Sequence, residues 1–292
     1  MQILLRKTSF LDYPGCISSV FFFPGCSLRC PWCHNRDLVL GLERNLIPFE
    51  QGLSFLRKRS SVLGGVVLSG GEPCLWDELP DLIAGIKRNL DGRGRSLSVK
   101  LDTNGMHPAM LEGLFSREET RPDYIALDFK IAPSRYRELL PENFGKSAVH
   151  CRDNASCKID DAGKPIAANN CFDPGAALIQ SAALIRESGI AHEYRTLALP
   201  QAPEAIAHSP SALPGGKINF IGEYDIEALA PLAMDSAPWI FRPFRAGTCL
   251  DPAWDALEER AGVAETQVLA QAKALAETAR KLGKNGICGH TP

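Results

Sequence analysis

Cys26, Cys30 and Cys33 lie in a C-x3-C-x2-C spacing on one short stretch, and three thiols so placed can hold three corners of an iron–sulfur cube. The fourth iron is then left without a protein ligand. A cluster with four thiolates is normally a closed electron carrier, whereas an open iron can bind a substrate or cofactor and do chemistry on it. The structural alternative is a zinc site, because C-x2-C turns also bind zinc, and its fourth ligand would be His34, adjacent to Cys33.

These cysteines follow a β-branched and aromatic run, residues 17–23, that stops at Pro24-Gly25 as a buried strand entering a loop does. Three more chemistry-bearing groups stand in the same relation to a strand. Gly65 to Leu68 runs into Ser69-Gly70-Gly71-Glu72-Pro73, Leu97 to Leu101 into Asp102-Thr103-Asn104-Gly105, and Tyr124 onward into Asp128-Phe129-Lys130. Helical spacing between them, at Pro48 to Arg59, Leu79 to Leu90 and Pro108 to Phe115, completes a strand, loop, helix rhythm. A later helix is opened by Asp173-Pro174 and closed by Gly189, and further strands are expected at Glu193 to Leu197, Lys217 to Ile221 and Trp239 to Phe241.

Repeated βα units imply parallel strands with helices outside, and right-handed crossovers curl such a series into a partial barrel. The expected fold is therefore α/β, a partial TIM-like barrel of about six βα units over residues 1–252. The apolar stripe Val268, Leu269, Ala272, Leu275, Ala276, Ala279 and Leu282 predicts a C-terminal helical extension, residues 253–292, lying on the barrel wall. Residues 141–172 break the rhythm and read as an insertion loop. In a parallel barrel all four motifs would share the rim at the strands' C-terminal ends, where such folds assemble active sites.

The chain has 292 residues, 45% hydrophobic and 23% charged, which suits a globular protein with a substantial core rather than a disordered one. A formal net charge of −2 provides no global positive field for nucleic acid, and Arg57-Lys58-Arg59, Lys87-Arg88, Arg93 and Arg95 read as solvated helix ends. Arg6 and Lys7 interrupt the apolar start before a signal peptide could form, and no window approaches a membrane span, so the expected setting is the cytoplasm. In that reducing compartment ten cysteines are metal ligands, reactive thiols or core residues rather than disulfides.

The segment from Thr8-Ser9-Phe10-Leu11-Asp12-Tyr13-Pro14-Gly15 through Cys33-His34-Asn35 resembles radical S-adenosylmethionine enzymes, within them the glycyl-radical-activating group, and within that the activating proteins of anaerobic ribonucleoside-triphosphate reductase. Ser69 to Pro73, Leu101 to Gly105 and Asp128 to Lys130 extend the likeness, and His192 to Thr196 and Phe244 to Pro252 continue it more loosely. The resemblance implies one [4Fe–4S] cluster on Cys26, Cys30 and Cys33, with S-adenosylmethionine chelating the open iron. It maps Gly70, Gly71 and Glu72 to the motif that meets the methionine amino group: glycines let the backbone approach, and a carboxylate suits an ammonium partner. Trp32 takes the aromatic position near the adenine, or plugs the core. Asp102, Thr103 and Asn104 reach the ribose or methionine end, or merely form a turn. Lys130 pairs with the cofactor carboxylate, with Asp128 fixing the lysine or a cation and Arg195 as a second carboxylate or ribose contact; an internal ion pair is the bland alternative.

The implied activity is reductive cleavage of S-adenosylmethionine to a 5′-deoxyadenosyl radical and formation of a glycyl radical on a partner, here an anaerobic ribonucleotide reductase. An external one-electron donor such as flavodoxin or ferredoxin supplies the electron. The competing readings are a radical enzyme acting on a small molecule, peptide or RNA base, and a non-catalytic metal-binding interaction protein. No cysteine lies between Cys33 and Cys74, so the ferredoxin-like insert of some activating proteins is missing. Cys151, Cys157 and Cys171, with Cys249 or Cys288, match no standard second-cluster module, and Cys288-Gly289-His290 reads as a frayed tail.

Overall fold

The structure is a computed structural model that describes residues 1–88, 96–141, 172–199, 221–245, 247–255 and 265–289. Its single sheet holds β1 (Gln2–Ser9), β2 (Ser18–Phe23), β3 (Ile47–Pro48), β4 (Gly65–Gly70), β5 (Ser98–Thr103), β6 (Tyr124–Asp128), β7 (Ala191–Ala198), β8 (Trp239–Pro243) and β9 (Gly286–Cys288). In space the order is β3-β1-β2-β4-β5-β6-β7-β8-β9. Every pair from β2 to β9 is parallel, while β1 runs antiparallel to both β2 and β3. With β3 and β9 as edges, the parallel strands form the expected partial barrel.

The strands form where the apolar runs fall, because a parallel sheet covered by helices is buried on both faces. Helices α1 (Arg36–Leu40), α2 (Phe49–Arg59), α3 (Leu79–Lys87), α4 (Pro108–Phe115) and α5 (Pro174–Ser188) follow in chain order, then α6 (Glu223–Leu229), α7 (Pro252–Asp255) and α8 (Glu265–Lys281). Gly52 in α2 lets the helix sit on β1 and β2, since a Cβ there would come within 2.9 Å of Ile3 and Phe21. The α5 boundaries are those that its caps predict. Asp173 Oδ1 accepts hydrogen bonds from the Gly175 and Ala176 N–H groups at 3.0 and 3.3 Å, and Gly189 closes the helix in the left-handed region at φ 70°.

Helix α8 packs on β8 and β9 through Val268, Ala272, Leu275, Ala276 and Ala279, but Leu282, the last member of the expected stripe, is exposed. The segment after it is no frayed tail. Ile287 and Cys288 pair with Ile240 and Phe241 in β9, and the Gly289 N–H donates to the Phe241 carbonyl at 2.8 Å. Gly286 permits this return to the sheet, because a Cβ would lie 2.5 Å from the Ala276 carbonyl oxygen. The C-terminal stretch therefore adds a strand as well as a helix.

β1 is a second departure from expectation: Leu4 and Leu5 pair with Phe22 and Phe21, and the register shifts between Arg6 and Ser9. The loop that follows closes the N-terminal end of the barrel. There Tyr13 packs against Tyr124 with ring centroids 6.1 Å apart, and the Asp12 carbonyl accepts from Lys100 Nζ at 2.8 Å. The Thr8 to Gly15 part of the resemblance thus lies at the opposite end from the cysteine loop. Arg93 and Arg95, the expected strand at Lys217 to Ile221 (apart from Ile221) and all but the end residues of the 141–172 insertion, with Cys151, Cys157 and Cys171, lie outside the described residues.

Candidate functional site

The cysteine loop leaves β2, and the glycine motif ends the neighbouring β4, with Phe23 paired to Gly70. Two backbone hydrogen bonds fasten the loops together, Gly71 N–H to Phe23 O and Glu72 N–H to Gly25 O, both 2.8 Å. The glycines are needed for this contact. A Cβ on Gly71 would fall 1.7 Å from the Gly25 oxygen, and Gly70, at φ 117°, would place one 2.3 Å from the Phe23 nitrogen. Asn35 Nδ2 also donates to the Gly70 carbonyl at 2.8 Å, so the chain on both sides of the cysteines is held to β4.

Glu72 is buried and faces the end of β5. Its Oε1 accepts from Thr103 Oγ1 at 2.9 Å and from the Cys74 N–H at 3.0 Å, while its Oε2 accepts from the Asn104 N–H at 2.7 Å. Burial pushes the carboxyl up to about 7, against the pull of those donors. The Asn104 side chain turns the other way: Nδ2 donates to Ser27 Oγ at 3.2 Å and to Cys26 Sγ at 3.6 Å.

The three thiols are partly or fully buried, and the Cys33 N–H donates to the Cys30 carbonyl at 3.0 Å. Burial pushes the Cys26 thiol up to about 12, with Glu72 adding to the rise, and burial also raises Cys30 and Cys33. Lys130 opposes the rise at all three. Thiolates here therefore call for a bound cation, while N–H donors from Leu28 to Cys26 and from Asn35 to Cys33 are already aimed at sulfur. That donor set fits an iron–sulfur cluster. His34 is drawn elsewhere than the zinc alternative requires: its Nε2 lies 2.7 Å from the Arg245 carbonyl and its ring stacks on Phe244 at 5.6 Å. Among the described residues no three His, Cys, Asp or Glu side chains come together as a single-ion site. A cube makes a different demand, since each thiolate reaches its own iron.

Trp32 is almost fully buried, its ring 5.5 Å from that of Trp254, which in turn meets Phe244 at 5.6 Å. With the Asp251 N–H donating to the Pro31 carbonyl at 2.9 Å, the segment after β8 clasps the cysteine loop.

Inside the barrel an ionic chain crosses three strands. Lys130 Nζ lies 2.9 Å from Asp128 Oδ2; Arg195 Nε meets Asp128 Oδ1 at 2.9 Å, and its NH1 meets Asp102 Oδ2 at 3.1 Å. Lys100 continues it, 3.0 Å from Asp102 Oδ1 and 3.5 Å from Glu193, whose other oxygen accepts from Tyr124 at 3.2 Å. Although burial raises both aspartates, Arg195 with Lys130 holds Asp128 far below the usual carboxylate range, and Arg195 with Lys100 lowers Asp102. Arg195 thus uses two nitrogens on aspartates rather than standing free for a ligand carboxylate. Lys130 occupies the mouth end, and Phe129 points away to stack on Tyr194 at 4.8 Å, as the strand alternation predicts. Lys100 and Glu193 escape sequence reasoning; the available signal is the two-residue step from each to Asp102 and Arg195 on the same strand face.

Residues 20–149, which contain the cysteine loop and the other three rim motifs, match the radical SAM superfamily. Over those residues, just under half of its length, the chain is similar to that superfamily, whose cofactors are a [4Fe–4S] cluster and S-adenosylmethionine. Among its relatives it is similar to a Methanocaldococcus jannaschii protein named as a candidate glycyl-radical enzyme activating enzyme, 35% identical over 45% of this chain and 51% of that protein. A pyruvate formate-lyase-activating enzyme of Listeria monocytogenes is 32% identical over 44% of this chain and 53% of its own length. The chain spans about half the length of these curated relatives. A radical SAM methyltransferase from Sphaerobacter thermophilus shares the fold at a TM-score of 0.55 and 14% identity, covering 97% of this chain and 68% of the other. Among the described residues no helix is long and apolar enough to cross a membrane.

Proposed function

We propose that this chain is a glycyl-radical-activating enzyme whose partner is an anaerobic ribonucleoside-triphosphate reductase. The observation that carries the reading is Glu72, a buried carboxylate fixed by donors from β5 within the same rim that bears the three cysteines. Cys26, Cys30 and Cys33 are the cluster ligands in this reading. When bound, the cluster and S-adenosylmethionine supply one-electron cleavage of a carbon–sulfur bond and a 5′-deoxyadenosyl radical that abstracts hydrogen from the partner's glycine.

The chain's own part is to bind, orient and exclude water. Glu72 receives the cofactor's ammonium, and an ammonium beside it lowers the carboxyl that burial has raised. Lys130, steadied by Asp128, receives the cofactor's carboxylate at the barrel mouth. Gly70 and Gly71 keep the two binding loops in register, and Asp102 and Thr103 fix Arg195 and Glu72. Trp32 and its aromatic neighbours seal the cysteine loop from solvent. A one-electron donor of the flavodoxin or ferredoxin type completes the system.

The test is anaerobic reconstitution with iron, sulfide, reductant and S-adenosylmethionine in the presence of co-expressed reductase. The expected products are 5′-deoxyadenosine and a glycyl radical detected by electron paramagnetic resonance. Deoxyadenosine with no radical on any glycyl-radical enzyme would remove the activase reading and favour a small molecule, peptide or RNA base as target.

A further inference from the structure

Asn104 joins the two halves of the site through different atoms. Its backbone N–H donates to Glu72 Oε2 at 2.7 Å, and its side-chain Nδ2 donates to Cys26 Sγ at 3.6 Å and to Ser27 Oγ at 3.2 Å. The orientation of the amide is settled by its third contact. Asn104 Oδ1 accepts from the Met106 N–H at 3.0 Å, a bond that only the oxygen can make, so the NH2 group must face the cysteine loop. Asn104 is buried, and the turn that places it is locked by the Gly105 N–H on Thr103 Oγ1 at 3.1 Å.

The three cysteines are consequently not equivalent. Cys26 has two N–H donors on its sulfur, the Leu28 backbone at 3.4 Å and the Asn104 amide, the latter from a strand far away in sequence. Cys33 has the Asn35 N–H, and the cation near Cys30 is Lys130. Hydrogen bonds to ligand sulfurs are one of the protein's levers on cluster potential, because a donor favours the more negatively charged, reduced state.

We propose that Asn104 is a positioning residue for the cluster, raising its reduction potential through the Nδ2 hydrogen bond to Cys26, rather than a contact to the ribose or methionine. The inference rests on Cys26 being a cluster ligand. Ser27 shares the NH2 group, and the Thr103 and Asn104 donors to Glu72 hold the end of β5 against the glycine-motif loop, which is itself bonded to Gly25 ahead of the cysteines, so the amide keeps its aim whatever occupies the barrel mouth.

The experiment compares wild type, Asn104→Ala, Asn104→Asp and Ser27→Ala, each reconstituted anaerobically with iron and sulfide and without S-adenosylmethionine or partner. Iron and sulfide per chain are measured, then the midpoint by potentiometric titration read in electron paramagnetic resonance. Asn104→Ala should retain the cluster and reduce the ratio of reduced to oxidised cluster about tenfold at a fixed ambient potential, or about 59 mV for one electron. Asn104→Asp, which keeps an acceptor for Met106 but presents oxygen to sulfur, should fall further. Ser27→Ala leaves the donor in place and should not fall. If alanine fails to hold a cluster, the aspartate variant decides the matter. Midpoints equal to wild type in both Asn104 variants overturn the proposal, as does loss of the cluster from both, which would assign Asn104 a structural role. A wild-type chain that assembles no cluster would instead defeat the functional reading itself.

Discussion

Lys130 and Asp128 form an ion pair at 2.9 Å at the C-terminal end of β6, two residues apart on the same strand face, with Arg195 gripping the other aspartate oxygen from β7. The pair is partly exposed at the barrel mouth, unlike the more deeply buried remainder of its network. Removing Lys130 leaves Asp128 paired with Arg195, so the aspartate keeps one cation although the ionic chain loses a positive charge.

The first prediction concerns that lysine. Lys130→Met should leave iron content unchanged and weaken S-adenosylmethionine binding about tenfold or more, the size expected for one hydrogen bond to a charged group. The check is the cofactor-induced change in the cluster's paramagnetic signal, titrated in both proteins. Equal affinities would show that another group holds the cofactor carboxylate.

A pair of glycine substitutions separates loop geometry from general stability. Gly71→Ala drives a methyl into the Gly25 carbonyl at 1.7 Å, and since both atoms belong to backbone the cysteine loop must shift. Overpacking of this kind costs about 1–3 kcal/mol, and cluster content after reconstitution should drop with it. Gly113→Ala in α4 meets nothing within 4 Å and should be neutral or stabilise by about 0.5–1 kcal/mol. Iron per chain and the denaturation midpoint, measured together, check both.

Much of the site was open to sequence reading because each motif ends an apolar run, and a parallel barrel then gathers all strand ends on one rim. The α5 caps were legible for the same local reason: Asp173, Pro174 and Gly189 act within a turn of their own positions. What escaped depends on partners distant in sequence. β1 exists through pairing with β2, and its own stretch Leu4-Leu5-Arg6-Lys7 carries no strand alternation. β9 depends on Gly286 passing the Ala276 carbonyl, which no spacing in the tail announces. For Arg195 the sequence left a ligand contact and an internal ion pair both open, because it does not say that two aspartates from other strands already hold it.

Burial of Glu72 has a pH consequence with a definite sign. Its folded pKa, about 7, stands above the ordinary 4.5, so the native state keeps a proton that the unfolded chain has lost. Stability of the cluster-free protein therefore falls as pH rises from about 4.5 to 7 and carries the full penalty above that, on the order of 3 kcal/mol. Glu72→Gln cannot titrate and should lack this component of the slope, although it loses acceptors and is less stable at low pH. Urea unfolding of both proteins at pH 5 and pH 8 measures the difference. Parallel losses in the two would mean that donors from Asn104, Cys74 and Thr103 already keep Glu72 ionised.

Lys100 is the most buried cation among the described residues, 1% exposed, and it binds Asp102, Glu193 and the Asp12 carbonyl at once. Lys100→Met should destabilise the cluster-free protein by about 3–5 kcal/mol, because two carboxylates lose their cation in a dry interior. Asp102 keeps Arg195, so most of the stranded charge belongs to Glu193, whose remaining side-chain partner among the described residues is the Tyr124 hydroxyl. The double variant Lys100→Met/Glu193→Gln should then be more stable than Lys100→Met alone, even though it carries one more substitution. Denaturant unfolding of the four proteins of this cycle gives the coupling directly. An additive result would place the cost in lost packing of the lysine stem, and the ionic chain would then owe its persistence to the Asp128 and Asp102 end at the barrel mouth.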